Sequence, residues 1–157
     1  MKSFLIFVMA VVISFLPGIF GVFFTPHGGN DLWYNELAKS VLTPDAWVFS
    51  VAWSVLYLLL GISLYLIIRH SHSRQSKAPA YALFAIQMGL NALWSYLFFG
   101  LHFVGAALLC LVALIGISIW MARVFQSFNK YASYLVWPYV AWLCFAFWLN
   151  GVMLYLN

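Results

Sequence analysis

Five long apolar runs alternate with polar segments along the chain, over residues 4–24, 46–68, 81–99, 104–124 and 133–156. A run of about 20 apolar residues, at 1.5 Å rise each, crosses the roughly 30 Å hydrocarbon core of a bilayer. The pattern predicts an all-α integral membrane protein. Its fold would be a bundle of five transmembrane helices in a single domain over 1–157, with a long first loop. The Lys2-plus-apolar start resembles a signal peptide, but the run is too long for one and lacks a small-residue exit. Pro17-Gly18 and Gly21 lie inside this first run. They fit a kinked, closely packed helix or a thinned wall beside a pocket.

Between the runs, the polar segments are unequal. Thr25 to Asp45 is the one long loop and carries all three acids, Asp31, Glu36 and Asp45, together with Lys39. Trp33 to Leu37 reads as a short amphipathic helix with Asn30 or Asp31 as its N-cap. Such a loop serves as a lid or as an interfacial anchor. Residues 69–80 form a basic loop in which His70 and His72 are expected to be solvated. Gly100-Leu-His102 predicts a tight turn, 104–124 reads mainly as scaffold, and 123–130 as a short polar link.

Composition strengthens the membrane reading. The chain is 66% hydrophobic and 6% charged, against about 25% charged in soluble domains. Its net charge of +4 comes from residues at span ends, so it reports topology and not nucleic-acid binding. Lys2, Arg69, Arg74, Lys77, Arg123 and Lys130 fall on one side and Lys39 alone on the other. The positive-inside rule then puts the N-terminus in the cytoplasm if the membrane is an inner one. No Asp, Glu, Lys or Arg lies away from a span end, which argues against an ion-coupled transporter. No metal site is expected: His27 and His102 sit at span ends, and Cys110 and Cys144 read as reduced core residues. No hydrolase, metalloprotease or phosphate-loop motif occurs.

The chemistry left is a set of rings and amides inside the spans. Gln87, Asn91 and Trp94 recur at i, i+4, i+7 and share one helical face. Phe49, Trp53, Tyr57 and Gly61 recur every fourth residue, and Tyr139, Trp142, Ala146 and Asn150 form a third face. Amides in hydrocarbon are costly without partners. Such faces either glue helices together or line a site for a flat, aromatic, mostly apolar ligand.

Four ordered motifs carry a resemblance. They are Trp33-Tyr34-x-x-Leu37-x-Lys39; Thr43-Pro44-x-x-Trp47-x-Phe49-x-x-Ala-Trp53-x-x-x-Tyr57; Gln87-x-x-Leu90-Asn91-x-x-Trp94-x-x-x-Phe98-Phe99-Gly100; and Pro138-Tyr139-x-x-Trp142-x-x-x-Ala146-x-x-Leu149-Asn150. Through them nearly the whole chain resembles the tryptophan-rich sensory protein or translocator protein family, the peripheral-type benzodiazepine receptors, and in particular a bacterial member. The resemblance implies a five-helix bundle, often a homodimer, with a ligand site lined by the first, second, third and fifth spans and roofed by the first loop. Tyr34, Trp53, Tyr57, Gln87, Asn91, Trp94, Trp142, Ala146 and Asn150 are the ligand-binding candidates. The implied function is a membrane receptor, sensor or carrier for tetrapyrroles such as protoporphyrin IX and haem, bound as ligands, with no cofactor required. The alternative it implies is a light-dependent protoporphyrin-degrading enzyme, with Trp53 and Trp142 catalytic. The chain departs from the family pattern at Ser40 and Asp45, where prolines are common. It also has no basic residue after Tyr155, where a sterol motif would need one.

Overall fold

A computed structural model describes residues 2–25, 32–70 and 76–157. His27, Asn30, Asp31, His72 and Arg74 lie outside the described residues. The chain forms α1 (Lys2–Val22), the short α2 (Leu32–Glu36), α3 (Ala46–Arg69), α4 (Ala78–Ser95, followed by a π-helical turn at Tyr96–Gly100), α5 (Val104–Phe128) and α6 (Lys130–Leu156). Five of these are long and apolar enough to cross a membrane. There is no strand among the described residues.

Local chemistry explains the boundaries. Pro79 stands in the first turn of α4, where its missing N–H breaks no helical bond. Lys77 Nζ donates to the Ile68 carbonyl over 3.0 Å, covering an orphan acceptor at the end of α3. The segment 123–130 is not the polar link expected from sequence. α5 runs on to Phe128 and α6 starts at Lys130, so Asn129 alone separates them. Asn129 Oδ1 accepts from the Tyr131 and Ala132 amides at 2.9 and 3.3 Å, an N-cap tight enough to turn the chain in one residue. At the other end of α4, the π-helical turn and His102, at φ 58°, bring the Phe103 amide onto the Leu97 carbonyl at 2.8 Å.

The long helices touch in the cyclic order α1, α3, α6, α5, α4 and back to α1. α1 turns only small residues inward, Ala10, Ser14, Pro17 and Gly21. Its large apolar side chains, among them Phe4, Val12 and Leu16, point outward, as lipid contact requires. Small inward residues allow close approach. A Cβ on Gly61 of α3 would lie 2.8 Å from the Val11 Cα, so the two backbones nearly touch there. The Ser14 hydroxyl lies 2.7 Å from both the Val11 and Tyr57 carbonyls and shares its proton between them. Ser63 Oγ donates to the Ala132 carbonyl over 2.7 Å and ties α3 to α6. Leu60, Ile67, Leu111, Leu114, Met121, Phe125 and Val136 fill the centre of this end of the bundle.

Two expectations change. Cys144 is exposed on the outer face of α6, and only Cys110 is a core residue. Cys144 falls between the inward Leu143 and Ala146 in sequence, but one residue of rotation, about 100°, carries it off their stripe. His70 is half-buried, edge-on to Phe128 at 6.3 Å, because the α3 terminus ends beside that of α5.

Candidate functional site

Toward the end of the bundle that carries the long loop, the helices separate around a cavity of about 1030 Å³. Its walls come from α1 (Phe15, Gly18, Gly21), α3 (Phe49, Ser50, Trp53, Ser54, Tyr57), α4 (Asn91, Trp94, Phe98, Phe99) and α6 (Ala146, Leu149, Asn150, Met153). The loop adds Tyr34, Lys39, Ser40 and Thr43. α5 contributes no lining residue and packs behind α4 and α6.

The floor is a layer of hydrogen bonds. Tyr57 Oη donates to Asn91 Oδ1 at 2.8 Å, and Asn91 Nδ2 donates to Tyr139 Oη at 2.8 Å. One amide thereby joins α3, α4 and α6. Trp94 Nε1 donates to Asn150 Oδ1 at 3.3 Å, and Asn150 Nδ2 to the Val104 carbonyl at 2.9 Å, joining α4, α6 and α5. Both amides are therefore helix glue and cavity wall at once. Asn91 retains one N–H and one lone pair beyond these bonds.

Above the floor the walls are rings. Trp53 stacks on Tyr57 at 5.5 Å and 29°, and lies 6.2 Å from Trp94. Trp94 stacks on Phe98 at 5.5 Å and 23°. These offset contacts are favourable for aromatic quadrupoles. Gly18 sits where a Cβ would come within 2.7 Å of Tyr57 Cε2. Both Gly18 and Gly21 line the cavity, so α1 combines close packing with a thinned wall.

The roof is fastened at two places. Trp33 and Tyr34 of α2 rest on Phe98, Trp33 at 5.7 Å, and Trp33 stacks on His102 at 3.9 Å. Asn157 then clasps the loop: its Oδ1 accepts from the Ala38 amide at 3.0 Å while its Nδ2 donates to the Ala38 carbonyl at 3.1 Å. Lys39 Nζ lies 4.5 Å over the Tyr34 ring. Burial raises the Tyr34 phenol above its ordinary value of 10, so it is a neutral hydroxyl at physiological pH.

Seven sequence candidates, Tyr34, Trp53, Tyr57, Asn91, Trp94, Ala146 and Asn150, line the cavity together. Two do not. Gln87 is fully buried one helical turn beneath Asn91, and neither its Oε1 nor its Nε2 has a partner. Trp142 stands behind the wall, edge-on to Trp53 at 6.5 Å and to Phe49 at 5.8 Å, with its Nε1 buried and unpartnered. Sequence reasoning put Tyr139 on the right face of α6 but left it out of the site. Its phenol accepts the Asn91 bond, and its position at i−7 from Ala146 was the available signal. Among the described residues no group of three metal-ligating side chains converges.

The family model described as TspO/MBR family matches residues 8–156. The chain is 39% identical over 140 residues to the tryptophan-rich protein TspO of Archaeoglobus fulgidus, covering 89% of both chains. It is 34% identical to the translocator protein of Bos taurus over 91% of this chain and 86% of that one. It is 31% identical to the tryptophan-rich sensory protein of Cereibacter sphaeroides over 81% and 78% of the two. The match spans all five membrane helices and the loop that roofs the cavity, and on that ground the chain belongs to the TspO/MBR family.

Proposed function

We propose that this protein is a membrane receptor, sensor or carrier that holds a tetrapyrrole such as protoporphyrin IX or haem in the loop-side cavity. The observation that carries the reading is the cavity itself. It is large, mostly apolar and walled by co-stacked indole and phenyl rings, with amide groups confined to its floor and wall. Flat apolar rings are complementary to such walls. The names of the relatives, a sensory protein and a translocator protein, agree with a receptor role. The basic end of the bundle faces the cytoplasm where the host membrane is an inner one. A homodimer fits the outer face of α4, where Ala85 and Gly89 are exposed and a Cβ on Gly89 would touch nothing.

A second reading rests on the contact of Trp53 with Trp142. Trp53 touches the cavity and Trp142 lies directly behind it. A light-excited porphyrin oxidised by dioxygen would have an indole pair beside it to exchange an electron. One experiment separates the readings. Protoporphyrin IX is titrated into purified protein in the dark, and the same sample is then illuminated in air with absorbance recorded. Saturable binding with no protein-dependent bleaching supports the receptor. Bleaching that stops in the Trp53→Phe/Trp142→Phe double variant, with binding largely kept, supports the enzyme. Absence of saturable binding would refute both.

A further inference from the structure

Lys39 is the one charged residue among those lining the cavity. It is half-buried, and no carboxylate lies within ion-pairing distance of it among the described residues. Glu36 and Asp45 belong to the same loop but are exposed and do not line the cavity. The Lys39 ammonium is held in place, with one bond to the Asn35 carbonyl at 3.3 Å and its face over the Tyr34 ring. An ammonium has three donors, so capacity remains for an acceptor arriving from the cavity. A second, independent observation lies four residues on. Thr43 also lines the cavity, and its Oγ1 is buried without a partner. The Ser40–Thr43 turn fixes both groups, through Thr43 N–H to the Ser40 carbonyl at 3.0 Å and Leu42 N–H to Ser40 Oγ at 3.1 Å. A buried hydroxyl without a partner is costly. A cation without a counter-charge beside it marks a place for an anionic acceptor.

We infer that Lys39 and Thr43 form an acid-binding subsite in the roof, which selects flat apolar ligands that carry a peripheral carboxylate. The inference rests on the tetrapyrrole reading above and refines it. The rings hold the body of the ligand, and the subsite reads its edge. The carboxylate accepts from Lys39 Nζ and from the Thr43 hydroxyl, and the rest of the roof stays apolar.

The test compares protoporphyrin IX with its neutral dimethyl ester, titrated into the full chain in uncharged detergent with tryptophan quenching as readout. The unsubstituted protein should bind the diacid about tenfold more tightly than the diester. Lys39→Met should abolish that preference while leaving diester affinity unchanged. Lys39→Arg should keep it, and Thr43→Val should reduce it about threefold. Equal binding of diacid and diester by the unsubstituted protein would overturn the subsite and leave the tetrapyrrole reading standing. So would a Lys39→Met variant that weakens both ligands alike. Failure of both porphyrins to bind would overturn the subsite together with the reading beneath it.

Discussion

The two ends of the bundle are built on different rules. At the basic end the helices meet through small residues and through hydroxyls bonded to backbone carbonyls: Gly61 against Val11, Ser14 on Tyr57, Ser63 on Ala132. At the loop end the same helices are joined side chain to side chain, by Tyr57, Asn91 and Tyr139 and by Trp94 and Asn150. Backbone contact leaves no space. Long side chains reaching across a gap keep the helices apart and bond them at the same time. The cavity therefore follows from where the small residues stop on α1 and α3 and the large rings begin. The amides make the same contrast one turn apart on α4, where Asn91 is bonded on both sides and Gln87 has no partner.

The largest disruption should come from the closed end. Gly61→Val would drive a branched side chain into the Val11 backbone, and overpacking of this kind costs about 3 kcal/mol. Thermal unfolding in detergent should show a clearly lowered midpoint, and an unchanged one would mean α1 and α3 do not meet as described. Next, Asn91→Leu removes a bridge and strands two buried phenols, for a loss of about 1–2 kcal/mol in the same assay. A smaller effect of opposite sign is expected beneath the floor. Gln87→Leu replaces an unpartnered amide by an apolar group of similar size and should raise stability by about 1 kcal/mol. A loss there as large as that at Asn91 would show that the two amides are equivalent after all.

Much of this was legible in the chain. Five apolar runs gave the five helices, because a bilayer forces backbone bonds inside each span and leaves few alternatives. The stripe of Gln87, Asn91 and Trp94 was correctly seen as one face. Depth along that face was not, and depth separates the cavity wall from the solid core below it. On α6, Trp142 was grouped with Tyr139, Ala146 and Asn150. At about 100° per residue those three fall within about 20° of one direction, while Trp142 falls about 60° away. That offset places it behind the wall. The α5–α6 boundary was missed because Arg123, Gln126, Ser127 and Lys130 are polar yet helical, and a single cap at Asn129 suffices to reverse the chain. Lys39 was visible, but that its neighbouring acids turn away from the cavity depended on the path of the loop.

The clasp between Asn157 and Ala38 alters which part of the molecule owns the roof. Covalently the loop belongs to α1 and α3. Through two bonds returned by one carboxamide, it belongs mechanically to α6. Only a primary amide offers a donor and an acceptor in that register, so a carboxylate or a hydrocarbon there would release one bond or both. The clasp lies at the rim and is absent from the cavity wall, and it adds nothing to the grip on a molecule held inside. Its effect falls on escape. The residence time of such a molecule can lengthen or shorten with this one fastening while the strength of the contacts below stays constant.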